Sequence, residues 1–174
     1  MSLIIGKEIQ KLMVGYPTVS DKYDVAGGVL GGTVPAHFGD VLVISQSSGQ
    51  SGVYEVPTGE ISGVELIAGV ACGTNVKLAA AYPGTDASVS YQVGEACNLC
   101  FKGFMAVALD ATAVKADIKE GAAVRVYLNT ADKYGKLTTS SVTSNTTVLP
   151  GWVFTGIFED HGSTVVAEVA IHVK

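Results

Sequence analysis

Three short stretches carry residue types that do chemistry in other proteins. The first is "CNLC" at 97–100, a Cys-x-x-Cys pair. A structural zinc site needs four ligands in a tetrahedron and draws them from two such pairs. Cys72 and the histidines His37, His161 and His172 supply no second pair at matching spacing. The flanking residues alternate like a strand, where positions i and i+3 point to opposite faces. Cys97 and Cys100 are therefore expected to be inert thiols that cannot grip one ion. The second stretch is "GKLTT" at 135–139. A phosphate-binding loop needs G-x-x-x-x-G-K-[ST] between a strand and a helix, so that helix N–H groups face the phosphates. Leu137 stands where Ser or Thr is required, Thr130 where the first Gly is required, and a Thr-rich run follows instead of a helix. The better reading is a β-hairpin: strand 122–128, loop "NTADKYG", strand 136–140. The third stretch is "SSGQSG" at 47–52, which misses the G-x-S-x-G spacing of a nucleophile elbow. The only Asp between His37 and Ser51 is Asp40, three residues from His37, so a His-Asp-Ser order is not built. This stretch reads as a hairpin loop.

The remaining candidates fail in the same way. "AGGVLGG" at 26–32 lacks G-x-G-x-x-G, and Pro35 blocks a following helix. Asp110 and Asp117 bracket a run without the alternating acids of a calcium loop. Glu55, Glu60, Glu65, Glu95, Asp132 and Glu159 are scattered over loops and outer faces, so no acid–base pair can be nominated. The expectation is a protein without catalytic residues, without metal and without cofactor.

The elements that carry these residues are strands. In 97–109, Cys97, Leu99, Phe101, Met105, Val107 and Leu109 occupy alternate positions and are expected on one face, with Gly103 allowing a bend. Val165, Ala167, Val169, Ile171 and Val173 line one face of a second run, and Ala122, Val124, Val126 and Leu128 one face of a third. Further strands are expected at 41–45, 53–57, 62–72, 76–80, 88–93, 136–140 and 148–158. Gly, Asp, Asn and Ser clusters separate them at the spacing of a sandwich or barrel. Trp152, Phe154 and Phe158 share a face that reads as core. A helical turn fits "LDATAVKADIKEG". The fold class is all-β, an antiparallel β-barrel or β-sandwich with an irregular N-terminal arm: residues 1–38 as arm, 39–174 as body. A faint internal echo links "FGDVLVIS…GVYEVPT…SGVELIAGVACG" to "EGAAVRVYL…GKLTTSS…PGWVFTGIFED" and suggests two similar β units.

Composition narrows the function classes. The chain has 174 residues, 21 of them Gly, and only 16% are charged, against about 25% in an average soluble domain. A weakly charged surface suits a subunit of an assembly better than a free monomer. Net charge is −5 and no basic run occurs, which excludes nucleic acid as the main partner. No apolar run reaches the ~18 residues of a membrane span, and "MSLIIGKEIQKLMVG" lacks the apolar core of a signal peptide. Three cysteines do not make a disulfide framework and fit reduced thiols in an intracellular folding compartment.

The ordered pieces "HFGDVLVI", "ISGVELIAGVACG", "YQVGEACNLCFKGFMAVAL", "IKEGAAVRVYLNTADKYGKLTT" and "PGWVFTGIF…VVAEVAIHV" resemble those of the structural cement (capsid decoration) proteins of tailed bacteriophages. The resemblance runs from about residue 34 to the C-terminus; the Gly-rich segment before Gly39 and the insert "SSVTSNTTV" depart from it. It implies a non-enzymatic β subunit on the capsid exterior of a virion, often trimeric, bound to the major capsid protein of a phage head. On that expectation Ile4, Ile5, Ile9, Leu12 and Met13 are the partner-binding anchors of an arm that adds a strand to a neighbour's sheet. The same segment packing on its own barrel is the competing expectation. The alternative function is a receptor- or glycan-binding β domain of a phage tail or bacterial surface structure, which would need an exposed Trp or Tyr platform.

Overall fold

The structure is a computed structural model that describes residues 12–18, 23–46, 48, 50–58, 66–73, 90–128 and 130–172. Among these residues the fold is all-β. The strands are β1 (Asp24–Leu30), β2 (Ala36–His37), β3 (Val41–Ile44), β4 (Val53–Glu55), β5 (Ile67–Cys72), β6 (Ser90–Tyr91), β7 (Ala96–Ala108), β8 (Ala123–Tyr127), β9 (Leu137–Thr138), β10 (Thr146–His161) and β11 (Thr164–His172). The helical turn expected after β7 is one 3₁₀ turn, Lys115–Asp117. The strand expected at 76–80 lies outside the described residues.

One sheet runs β1-β4-β3-β5-β7-β11-β10-β8-β9, and β1 also pairs with β7. That second pairing closes β1, β4, β3, β5 and β7 into a five-stranded ring. The other half, β7-β11-β10-β8-β9, curls back until Leu137 of β9 bridges to Leu109, the residue just past β7. Leu109 N–H donates to Val165 O and Asp110 N–H to Leu137 O. Strand β7 is thus common to both halves. The echo in the sequence has a structural counterpart: β4-β3-β5 in the first half repeats as β9-β8-β10 in the second.

The core is split by the shared strands. Leu30, Leu42, Ala68, Ala71, Cys97 and Leu99 fill the ring, with Tyr54 and Ala26 packed against them. Val70, Cys72, Cys100, Met105, Val107, Val124, Val126, Leu137, Phe154 and Val169 fill the other half. Every residue of β5 is buried because it separates the two clusters. Each fully buried Val or Leu here contributes roughly 1.5–3 kcal/mol relative to exposure.

The single apolar face expected for 97–109 is corrected by this arrangement. Cys97, Leu99 and Phe101 face the ring interior, whereas Met105, Val107 and Leu109 belong to the other cluster. The side-chain alternation slips by one residue around Gly103, whose φ of 133° few other residues adopt. The same slip occurs in β5 at Gly69, φ 155°, where a Cβ would lie 2.3 Å from Cys100 O. A second correction concerns Phe158, expected in the core with Trp152 and Phe154. Those two are buried, but the register against β11 shifts between Phe154 and Phe158, and Phe158 is 38% exposed.

Within the range expected to be an arm, β1 and β2 belong to sheets. Strand β1 pairs antiparallel with β7 along Asp24–Val29 and parallel with β4 at Val29–Leu30. Its glycines hide a strand from hydropathy patterning yet are required by it. A Cβ on Gly28 would sit 2.3 Å from Gly52 O and 2.4 Å from the Tyr54 ring.

Candidate binding surface

Two of the acids that looked like chemistry are held by lysines, and one of these pairs joins the two halves. Asp40, at the entry to β3, is 3% exposed. Its Oδ2 accepts the His37 N–H at 2.9 Å and lies 3.3 Å from His37 Nδ1, and its Oδ1 accepts from Lys136 Nζ at 2.5 Å. The adjacent Gly135 has φ 73°, and its carbonyl accepts Val41 N–H at 2.9 Å. A Cβ on Gly135 would lie 2.9 Å from Val41 O. The Gly-Lys pair therefore clamps the second half's hairpin to the first half's β3. The expected hairpin forms, with Arg125 opposite Thr138 and Val126 opposite Leu137.

Asp110 makes the companion tie. Its Oδ1 accepts from Thr112 Oγ1 at 2.6 Å and from Lys133 Nζ at 2.9 Å, and Thr112 Oγ1 lies 2.9 Å from Tyr127 OH. Burial opposes ionisation of this carboxyl, but the hydrogen bonds from Thr112 and Lys133 outweigh it and hold its pKa below the usual value. Both acids are engaged in these contacts.

Cys72, Cys97 and Cys100 are free and buried. Cys97 lies in the ring interior and Cys100 in the other cluster, as the i, i+3 spacing on a strand requires. Burial pushes Cys72 up to about 12 and Cys100 up to about 11. The thiolate is the reactive and metal-binding form, so these pKa values make the thiols inert at neutral pH. Tyr91, packed over the ring interior, donates its hydroxyl to Cys72 O at 2.6 Å. Trp152 is 2% exposed and offers no platform for a sugar. The "SSGQSG" loop joins β3 and β4, a hairpin with Val43 opposite Glu55.

What remains is surface. Residues 12–18 lie along β7: Gly15 N–H donates to Ala106 O, Ala106 N–H to Tyr16 O, and Thr18 N–H to Phe104 O. A turn, with Tyr16 N–H donating to Met13 O, then sends the chain across the sheet. Leu12 is buried against Ala106 of β7 and Val166 of β11, and its N–H donates to Glu159 Oε2 of β10 at 3.0 Å. Of the five expected anchors, Leu12 thus packs on its own body and Met13 is half-buried. Ile4, Ile5 and Ile9 lie outside the described residues. Two groups stand out among the exposed apolar residues. One is the outer row of β1, with Tyr23, Val25 and Val29 each at least 40% exposed. The other is Ile157, 53% exposed, beside Phe158 on β10. The adjacent pair of large apolar residues in "TGIF" was the available signal, since strict alternation cannot bury both.

A family profile described as "Structural cement protein (E217 gp24/Pam3 gp6)" matches residues 5–172. The chain belongs to the structural cement protein family. Among solved structures it is similar to a chain from "The capsid of Myoviridae Phage XM1", with a TM-score of 0.65 and 15% identity, covering 99% of this chain and 97% of that one. At that identity the likeness shows a shared fold. No curated protein sequence matches the chain. A cement protein is structural, and the geometry agrees: the charged groups hold strands together, and the thiols are sealed in core. Among the described residues no helix is long and apolar enough to cross a membrane.

Proposed function

We propose that this cement protein decorates the outer surface of a phage head and stabilises the mature shell without catalysing a reaction. The observation that carries the reading is the family match across almost the whole chain. A protein that binds only the mature lattice stabilises it by mass action, in proportion to its occupancy and affinity. A body with a two-sided core and strands tied by Asp40–Lys136 and Asp110–Lys133 suits that role, because a rigid clamp wastes little binding energy on ordering itself. The partner is the major capsid protein, and the subunit acts as a homotrimer, folded in the host cytoplasm and carried on the virion. The N-terminal segment, with Ile4, Ile5, Ile9 and Met13 as apolar anchors beyond the packed Leu12, reaches from the body to a neighbouring subunit.

Mature heads stripped of cement protein provide the test. Adding the purified chain back should give saturable binding and raise the temperature at which the heads release DNA. Heads that bind none of it, or that bind it and open at an unchanged temperature, would overturn the reading.

A further inference from the structure

The two halves are one unit built twice. The first unit is β1, β3, β4, β5 and the part of β7 before Gly103; the second is the rest of β7 with β8, β9, β10 and β11. Their registers agree pair by pair. Val41 opposite Val70 and Ile44 opposite Tyr54 recur as Ala123 opposite Val153 and Val126 opposite Leu137. Val25 opposite Cys100 and Val29 opposite Ala96 recur as Phe104 opposite Ala170 and Ala108 opposite Val166. The parallel contact of Leu30 with Tyr54 recurs as that of Leu109 with Leu137. Backbone bonds repeat too: Leu30 N–H donates to Glu95 O as Leu109 N–H does to Val165 O. Strand β7 ends one unit and begins the next. The row Val25, Gly27, Val29 on the outer side of β1 therefore has a fixed counterpart, the row Phe104, Ala106, Ala108, and Ala96 has Val166.

The two rows differ in cover. On the second unit the chain crosses the outer face, and Leu12 is buried over Ala106 and Val166. On the first unit the matching face meets water: Val25 is 40% and Val29 43% exposed. The seat that holds Leu12 is repeated there with smaller residues, Gly27 for Ala106 and Ala96 for Val166. Gly27 needs its own explanation. Its φ is not positive, and a Cβ there would meet, among the described residues, only Asn98 Oδ1 at 3.6 Å. Neither backbone nor packing demands a glycine. A glycine inside a strand weakens it and often marks a site where another chain approaches closely. The row Val25, Gly27, Val29 carries no charge, so it suits an apolar occupant. The chain's own Leu12 is already seated on its second unit, so the occupant comes from another protein.

We propose that the outer face of β1 is where the major capsid protein docks. A segment of that protein crosses the face and sets an aliphatic side chain over Gly27 and Ala96, between Val25 and Val29, as Leu12 is set over Ala106 and Val166. The inference rests on the reading of the chain as a capsid-binding cement protein and names the face that makes the contact.

Stripped mature heads are titrated with the wild type, Gly27→Val, Val29→Lys and Ile157→Lys. Gly27→Val puts a strand-forming residue on an exposed strand position, so its melting temperature should hold or rise. Its affinity for heads should nevertheless fall at least about tenfold, because the seat is filled. Val29→Lys should lose a similar factor, and Ile157→Lys, on the second unit, should bind as the wild type does. Val25→Cys labelled with a benzophenone maleimide identifies the occupant; the native thiols are buried and do not compete. On irradiation of decorated heads the label should link to the major capsid protein. Undiminished binding of Gly27→Val and Val29→Lys, equal losses in all three variants, or a label that links only to a second copy of this chain would overturn the inference and leave the proposed function standing. Heads that refuse the wild-type chain would overturn both.

Discussion

Lys136→Met isolates the role of the Gly-Lys turn. Asp40 is 4% exposed at its side chain and Lys136 is 28% exposed, with 2.5 Å between their charged atoms. Removing the lysine leaves a carboxylate that water barely reaches, held among the described residues by His37. Breaking a buried pair from one side costs about 3–5 kcal/mol. The exposed part of Lys136 lets some water replace it, which places the loss near the lower bound, about 3 kcal/mol. For a chain of this length that lowers Tm by roughly 6–12 °C. Thermal melts at neutral pH of the wild type, Lys136→Met, Asp40→Asn and the double variant give the cycle. Once Asp40 is neutral, losing Lys136 should cost less than about 1 kcal/mol, so the coupling is about 2 kcal/mol. Lys115→Met is the control. Its pair with Asp160 is 52% and 55% exposed at the two side chains, and its loss should stay within about 0.5 kcal/mol. Equal effects at Lys136 and Lys115, or additivity of the two single losses in the cycle, would refute the claim that this pair ties the two halves together.

The other predictions follow from the same contacts. Asp110 has a native pKa below its ordinary value, so its stabilisation is present above the unfolded carboxyl pKa of about 4 and fades as pH falls through the native one. Asp110→Asn should therefore cost about 1 kcal/mol at pH 7 and nothing in acid, so its Tm-against-pH curve merges with the wild type below about pH 3; curves offset by a constant amount would count against it. Gly69→Ala places a Cβ 2.3 Å from the Cys100 carbonyl at a φ that alanine avoids, and should cost about 3 kcal/mol or prevent folding, read by urea denaturation. A loss below about 1 kcal/mol would mean that β5 and β7 can separate locally. A chromogenic thiol reagent at pH 8 should find no reactive cysteine in the native protein and all three after denaturation. Rapid native labelling of Cys72 or Cys100 would contradict the sealed core.

Strand positions were legible because period-two alternation survives wherever one face is buried. The runs read from 97, 122 and 165 onward coincide with β7, β8 and β11 over 97–108, 123–127 and 165–172. The faces of β7 were not legible. A slip at Gly103 reverses the inward positions without changing the composition, and nothing local distinguishes a bending glycine from one that shifts register. Strand β1 was invisible for the opposite reason. Its burial comes from ring closure against β4 and β7, so "DVAGGVL" needs no large side chains on its inner face. The polar ties were half legible. Gly135-Lys136 and Gly39-Asp40 stood out as motifs, but only the fold brings residues 96 positions apart to one hydrogen bond.

The two-sided placement of β5 and β7 links architecture to the cement role. A strand with core on one face can lift away while the rest of a domain stays folded. Prying β5 outward instead exposes Ala68 and Ala71 to one side and Val70 and Cys72 to the other, so both clusters lose packing together. Forces applied to either half are then shared by the whole body, since close-packed interiors transmit strain. None of the exposed large apolar residues lies on β5 or β7; Val25, Val29, Ile44, Ile157 and Phe158 stand on the strands around them. A body whose central strands cannot yield singly holds its shape under load.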